Sequence, residues 1–356
     1  MTWGVACLAA LLWLACATSK APVELVRAES LDSQGRTLEA LQAYEAATYS
    51  CQNQSNPESR QKWCAAAQLG RASSLERLGR TAEAIVAYET LAGSAPSSFV
   101  PTDGSTAHPG AIALVSAGRL HLSSAGHDKQ AYERFWKTIT SYPNDPYADE
   151  ALRILMRDGR KRDAQALFTQ LDQLYQWFSG TEIADNLLNA MASLAREEMA
   201  NPAEAMRAYD LLVKHHASSP FRDDALYHGA QLSEAIKDYK GAAERYRNLL
   251  DTREKSFLVG SYHSSWLDDA QLALGRLVRD RLGDPRSALK EFANLEDRFP
   301  DSALVDEALF EIARTHELLG DWEHACKALG VLKSRFPESK FHQEQIPQAT
   351  TRLHCM

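Results

Sequence analysis

The stretch that decides the fold runs from Ala72 to Pro96 and reads A-S-S-L-E-R-L-G-R-T-A-E-A-I-V-A-Y-E-T-L-A-G-S-A-P. Gly79 is expected to end one helix, because glycine readily adopts the left-handed conformation that closes a helix. A second helix follows, in which Ala84 and Tyr88 are four residues apart and therefore share a face. The small alanine lets the first helix approach closely, and the ring fills the space behind it. The stretch therefore predicts a helical hairpin.

The same spacing, an alanine followed four residues later by an aromatic residue, recurs along the chain. The pairs are Ala40/Tyr44, Ala84/Tyr88, Ala131/Phe135, Ala164/Phe168, Ala205/Tyr209, Ala242/Tyr246 and Ala288/Phe292, and Ala325 is followed by Leu329 instead. Five residues before each alanine stands a turn residue: Gly35, Gly79, Gly126, Gly159, Ala200, Lys237, Gly283 and Gly320. A hairpin of this kind buries its apolar face only by stacking on its neighbours. We therefore predict an all-α fold, a right-handed α-solenoid of about seven or eight stacked hairpins.

This register resembles the tetratricopeptide repeat (TPR). In that family a small residue lies in the first helix, glycine ends that helix, and alanine, an aromatic and an aliphatic residue follow in the second helix before a closing proline. The matching residues are Ala72, Gly79, Ala84, Tyr88, Leu91 and Pro96. The resemblance covers roughly residues 22–341, which we take as the repeat domain, and leaves 342–356 as a C-terminal tail. Most steps between the anchor alanines exceed the family's repeat of about 34 residues.

A second recurring segment links the hairpins. Its copies are Tyr142–Ala151, His216–Ala225 and Phe299–Ala308, with a shorter one at Phe336–Phe341. In these segments proline stops a helix, Ser or Asp caps the next one, and acidic residues enter its first turn, where the helix dipole favours them. Linkers of this kind resemble those of exported bacterial TPR proteins, the groups of the outer-membrane assembly lipoprotein BamD and of CpoB (also called YbgF). The resemblance implies a protein of the bacterial envelope.

The N-terminus has the pattern of an export signal. The apolar run Val5–Ala15 is too short to span a membrane but suits the core of a signal peptide. The residues Trp13-Leu14-Ala15-Cys16 resemble the lipobox of bacterial lipoproteins, which implies that residues 1–15 are removed and that Cys16 is lipidated, with 16–21 as a tether. Ala17 then implies the outer membrane, facing the periplasm. The alternative is an ordinary cleaved signal and a soluble periplasmic protein.

Four more cysteines lie downstream: Cys51, Cys64, Cys326 and Cys355. An exported protein meets an oxidising compartment, so an even number of cysteines indicates disulfides. We expect one bridge between Cys51 and Cys64 and a second between Cys326 and Cys355, which would tie down the C-terminus. Four free thiols are the alternative.

Charge and motifs argue against several function classes. The formal net charge of −8 disfavours nucleic-acid binding, because an acidic chain repels phosphates. The sequence has no phosphate-binding loop, dinucleotide fingerprint, H-E-x-x-H, G-x-S-x-G or C-x-x-C motif. We therefore predict no enzyme, no cofactor and no small-molecule substrate. The group His316, His324, Cys326, His354 and Cys355 lacks the tight spacing of a zinc site, so we predict no metal either.

The TPR resemblance implies that partners bind in a groove lined by the first helix of each unit. The positions it places there are Leu69, Ser73, Glu76, Tyr227, Gln231, Glu234, Phe310, Arg314 and Glu317. The predicted function is a non-catalytic scaffold that binds envelope proteins and is held to the membrane by its N-terminal lipid. The alternative is a soluble periplasmic adaptor of cell-wall or division proteins.

Overall fold

The computed structural model describes residues 22–95, 107–256 and 264–355. The predicted signal peptide (1–15) and the whole tether (16–21), with Cys16, lie outside these residues. The helices are α1 Val23–Ser33, α2 Thr37–Ser50, α3 Pro57–Arg77, α4 Thr81–Ser94, α5 Pro109–Leu122, α6 Asp128–Ser141, α7 Pro146–Gly159, α8 Ala164–Phe178, α9 Ala184–Glu197, α10 Pro202–His215, α11 Arg222–Ala235, α12 Tyr239–Ser256, α13 Leu267–Asp280, α14 Pro285–Arg298, α15 Val305–Leu318, α16 Trp322–Arg335 and α17 Gln345–Arg352. A short 3-10 turn, Cys51–Asn53, follows α2.

The all-α prediction is confirmed, since every regular element in the described ranges is helical. Helices α1 to α16 form the eight predicted hairpins. None of the helices in the described ranges is both long and apolar enough to cross a membrane.

The chain divides into two compact units, Met1–Leu187 and Leu188–Met356, with the boundary inside α9. In the first unit each helix from α1 to α7 packs on the next. The anchor alanines Ala40, Ala84 and Ala131 are fully buried, and their partner rings are at most 5% exposed. Close approach of the helices is visible at Gly118 of α5, where a Cβ would overlap the buried Phe135 ring. Small residues and rings therefore interlock as the spacing predicts.

The second unit repeats this packing, with contacts between each successive pair of helices from α10 to α17. The anchors Ala205, Ala242, Ala288 and Ala325 are fully buried. Their partners are at most 2% exposed: Tyr209, Tyr246, Phe292 and Leu329. In α13, Gly275 gives the Phe292 ring the space that a Cβ would occupy. Leu329 fills the aromatic position of the last hairpin.

The turns inside the hairpins are closed by residues in the left-handed region. Gly35, Gly79, Gly126, Gly283 and Gly320 have φ between 70° and 81°, and Ala200 and Lys237 adopt positive φ as well. At Gly79 the amide of the glycine donates to Glu76 O, and that of Arg80 donates to Leu75 O at 3.0 Å. The turns at Gly35, Lys237 and Gly320 repeat this pair of hydrogen bonds, which satisfies the last carbonyls of the first helix.

The fourth hairpin departs from the predicted register. Gly159 is the last residue of α7 and is absent from the residues with positive φ. Counted from the predicted turn residue, the second helix begins three residues later than in the other hairpins. Ala164 is therefore its first residue and is only half-buried. Leu167 and Leu171 occupy the positions that Ala and an aromatic residue fill elsewhere. The assignment of Ala164 and Phe168 as this unit's anchor pair is therefore corrected, although Phe168 is itself buried.

Replacing Lys237 with glycine is expected to raise the free energy of unfolding by about 0.5–1 kcal/mol. Lys237 has φ 67°, and a side chain there costs about 1–2 kcal/mol, part of which is offset by glycine's greater freedom in the unfolded chain. Urea-induced unfolding followed by circular dichroism measures the change. Gly320→Ala, at the corresponding position with φ 71°, is the matched control and should lower the free energy by about 1 kcal/mol. Unchanged unfolding midpoints in both variants would contradict this account.

Two of the linkers tie a hairpin to the preceding one through a serine. Ser302 Oγ donates to Asp268 Oδ2, in the first turn of α13, at 2.6 Å and accepts from the Leu304 amide at 3.0 Å. Ser339 makes the same donated bond to Asp306 in the first turn of α15, also at 2.6 Å. The acidic residues that the linker pattern places in first turns therefore accept hydrogen bonds from the next linker as well as facing the helix dipole.

The first turn of α7 carries an acidic group that opposes folding at neutral pH. Partial desolvation, followed by repulsion from Asp185 and Glu182, raises the pKa of Asp149 to about 6. The folded state thus holds this proton more tightly than the unfolded state. The resulting stabilisation is complete below about pH 4, the usual aspartate pKa, and is lost as the pH rises through about 6.

Asp149→Asn is therefore expected to raise the free energy of unfolding at pH 7.5 by up to about 1 kcal/mol. The gain is kept small because Asp149 is exposed and solvent screens its charge. Unfolding curves at pH 4 and pH 7.5 measure the effect, and the difference between variant and wild type should shrink at pH 4. An equal difference in the free energy of unfolding between variant and wild type at both pH values would contradict this explanation.

The segment 342–356, predicted as a C-terminal tail, contains a helix. Helix α17 buries Ile346 and Ala349, and its eight residues are too few to show a repeating pattern. The structure contains a disulfide between Cys326 of α16 and Cys355, with the Cα atoms 5.4 Å apart. A second disulfide joins Cys51 to Cys64 of α3 across 5.2 Å. Both Cα distances suit an unstrained bridge, for which about 4.4–6.8 Å is usual.

Candidate partner-binding surface

The residues predicted to line a groove lie on α3, α11 and α15, the first helices of three hairpins. Each helix contributes three of them at spacings of four and three residues, which places them on one face of that helix. We call them the first, middle and third positions of each helix. The structure gives the three kinds of position different roles.

The first positions pack against the chain rather than standing free. Tyr227 is 9% exposed and stacks on Trp266, from the following linker, with ring centroids 4.4 Å apart. Phe310 stacks in the same way on Phe341, also at 4.4 Å. Leu69 is half-buried and packs on the core formed by α3, α4 and α5. These three side chains hold neighbouring repeats together.

The third positions bind groups of the same chain. The hydroxyl of Tyr88 donates to Glu76 at 2.7 Å, and that of Tyr246 donates to Glu234 at the same distance. Burial, and then the hydrogen bond to the carboxylate, raise the pKa of both tyrosines. In the last hairpin the Arg352 guanidinium of α17 donates twice to Glu317, at 2.6 and 2.8 Å. Each glutamate therefore fixes its helix to a neighbouring one.

The middle positions remain the most accessible in the second unit. Gln231 is exposed on α11, and its side-chain oxygen lies 3.1 Å from His228 Nδ1 on the same helix. The Arg314 side chain is 52% exposed on α15 and donates to Glu311 at 3.2 Å. Ser73, in the first unit, is half-buried. Framed by a stacked ring and a bound glutamate, Gln231 and Arg314 can meet a partner without reordering the helix.

Sequence reasoning missed a cluster of rings beside Gln231. His228 packs edge-on against Trp266 with centroids 5.1 Å apart, and its ring lies 6.3 Å from that of Tyr209. The indole of Trp266 also donates a hydrogen bond to Asp224, and burial lowers the pKa of His228. Trp266 stands two residues after Ser264 as Phe221 stands two residues after Ser219, and that parallel was the available signal.

A buried charge network joins α13 to α15. Arg279 and Glu311 are each 4% exposed at the side chain and form an ion pair at 2.6 Å. Arg276 donates to the other oxygen of Glu311 at 2.8 Å, and the Arg279 guanidinium donates to Thr315 Oγ1 at 3.3 Å. Buried charges are tolerated when they are paired and hydrogen-bonded in this way. The network fixes the face that carries Arg314.

Two segments of the sequence match models of the tetratricopeptide repeat. They are residues 59–99, which include α3 and α4, and residues 307–339, which include most of α15, all of α16 and the following linker. A search of curated protein sequences finds no significant match.

Among solved structures, PilW, a widely conserved type IV pilus biogenesis factor, is 12% identical, with 80% of this chain and 97% of that chain covered and a TM-score of 0.36. YrrB, a TPR protein with an unusual peptide-binding site, is 14% identical, with 62% and 99% covered and a TM-score of 0.42. The C-terminal part of a TPR protein from Cytophaga hutchinsonii is 13% identical, with 91% and 98% covered and a TM-score of 0.38.

The two matched segments contain hairpins of the same construction as the other pairs of helices. In seven of the eight hairpins a left-handed turn follows the first helix, and the second helix carries a buried anchor alanine. The chain therefore contains tetratricopeptide repeats at residues 59–99 and 307–339.

Proposed function

We propose that this protein is a scaffold of the bacterial envelope that binds other proteins through the first helices of its repeats. The observation that carries the proposal is the arrangement on α11 and α15. There an exposed polar residue, Gln231 or Arg314, stands between a stacked ring and a glutamate bound within the chain. A face ordered before binding loses little conformational entropy when a peptide or helix docks on it.

The chemistry of the cysteines supports a place outside the cytoplasm. Both pairs, Cys51–Cys64 and Cys326–Cys355, are disulfide-bonded in the structure, and such bonds persist in oxidising compartments. The lipobox-like residues ending at Cys16 favour attachment to the outer membrane facing the periplasm. More than one acyl chain is needed for stable anchoring, and the lipoprotein modification supplies that number.

Site-specific photocrosslinking in the native host tests the binding face. A photoreactive amino acid is placed at Gln231 or at Arg314, with Lys290, an exposed residue of α14, as the matched control. We expect discrete crosslinked proteins of the envelope at positions 231 and 314 and none of them at 290. Identical products at all three positions, or none at 231 and 314, would refute the proposed face.

Mass spectrometry of the mature N-terminus tests the anchor separately. The proposal requires a diacylglyceryl group and an amide-linked acyl chain on Cys16. A free amine downstream of Cys16, with the protein recovered in the soluble periplasmic fraction, would instead establish the periplasmic adaptor. The crosslinking result stands in either case.

A further inference from the structure

Two imidazoles and a carboxylate converge at the turn of the last hairpin. His316 lies in the final turn of α15, Asp321 precedes α16, and His324 lies in the first turn of that helix. His316 Nδ1 is 3.1 Å from Asp321 Oδ2, and His324 Nδ1 is 2.8 Å from Asp321 Oδ1. The two rings stack with their centroids 5.2 Å apart. The Nδ1 atom of each ring thus faces the same carboxylate.

The backbone holds these three residues in place. Gly320 has φ 71°, and the amide of Asp321 donates to His316 O at 2.9 Å across the turn. Asp321 caps α16 by accepting from the His324 amide at 3.3 Å. The positions of the side chains therefore follow from the closed turn.

We propose that His316, Asp321 and His324 form a binding site for a divalent transition-metal ion such as Zn²⁺. One ligand atom of each residue lies within 4.8 Å of those of the other two. Around a tetrahedral Zn²⁺, with bonds of about 2.0–2.2 Å, ligand atoms are about 3.4 Å apart. Small rotations of the side chains cover the difference, because the His324 side chain is 58% exposed and its ring can shift towards solvent. Water completes the coordination.

The nature of the ligands selects the class of ion. Imidazole with carboxylate suits Zn²⁺, Ni²⁺ and Cu²⁺, whereas Ca²⁺ and Mg²⁺ prefer oxygen ligands alone. Cys326 and Cys355 are bonded to each other, so neither supplies a thiolate here. Glu317, the nearest acidic residue along α15, is bound by Arg352. The proposed site does not depend on the scaffold function. It replaces the prediction that the protein binds no metal, which rested on sequence spacing alone.

Equilibrium dialysis of the full chain against Zn²⁺ tests the site. The protein is first alkylated without reductant, so that free thiols are blocked and the disulfides stay intact, and bound zinc is measured by mass spectrometry. The variants are His316→Gln, His324→Gln and Asp321→Asn, of which the last keeps the capping oxygen. His215→Gln, at an exposed histidine of α10, is the matched control.

We expect wild type and His215→Gln to bind one more zinc ion per chain than the three site variants, whose apparent affinity should fall by about tenfold or more, since even outer-shell changes cost about 10–100-fold. The NMR signals of the His316 and His324 rings should shift on addition of Zn²⁺, which reports the site directly even where a variant is less stable. Zinc binding that is equal in all variants, or absent from wild type, overturns the proposal.

Discussion

Glu311→Gln is expected to lower the free energy of unfolding by about 3–5 kcal/mol, the usual cost of breaking a buried ion pair from one side. The change leaves the Arg279 guanidinium, 4% exposed at its side chain, without its buried carboxylate, and it removes a partner of Arg276 as well. Arg279 then keeps the half-exposed Asp280 as its counter-charge, and the incomplete compensation of its desolvated charge is the dominant cost. Urea-induced unfolding at pH 7.5 measures the change.

The double variant Arg279→Met/Glu311→Leu separates charge from packing. Replacing both partners by apolar residues of similar volume removes the uncompensated charge, so the double variant should be clearly more stable than Glu311→Gln. A double variant as unstable as the single one would show that shape, and not pairing, makes Glu311 important.

Replacing Cys326 and Cys355 with serine is expected to cost about 3–4 kcal/mol. The bridge closes a loop with a sequence separation of 29 residues, and the loss of that constraint increases the entropy of the unfolded chain by a corresponding amount. Helix α17 should open first, because only Ile346 and Ala349 are buried among its own residues. Amide hydrogen exchange should therefore show lost protection over 345–352 before any global change.

The other bridge provides the comparison. Cys51→Ser/Cys64→Ser removes a disulfide with a sequence separation of 13 residues and should cost about 3 kcal/mol, while amides 345–352 stay protected. If α17 stays protected from exchange after its own bridge is removed, the salt bridge of Arg352 with Glu317 and the buried apolar residues are enough to hold the helix in place.

The repeat could be predicted because its determinants are local. The hairpin motif consists of a left-handed residue, an alanine five positions later and a ring four positions after that. All three lie within one turn and one helix, where regular backbone geometry fixes the relative positions of residues at a given spacing. Six of the eight hairpins follow that rule in full, and the last hairpin follows it with Leu329 in place of the ring. The fourth hairpin broke it because α7 continues through Gly159, so that α8 begins only at Ala164 and Leu167 takes the buried position.

The candidate site could be predicted only in outline. Spacing placed the candidate residues on one face of each of α3, α11 and α15, but the partners of Tyr227 and Phe310 are Trp266 and Phe341, each more than 30 residues further along the chain. Two rings that far apart meet only after the intervening hairpin has folded. Which positions remain open to a partner therefore could not be read from the spacing of one helix.

The sequence by itself determined the helical hairpins and their order and, in seven of the eight hairpins, the closing turn and the apolar face of the second helix, because these depend on backbone preference and on periodicity. Only the tertiary structure decided how the polar residues are used. Stacking brought Ser302 to Asp268 and Arg279 to Glu311, and the closed turn at Gly320 brought His316 and His324 to one carboxylate. Hydrogen bonds and ion pairs act over a few ångströms in space, and distance along the chain does not reveal such neighbours.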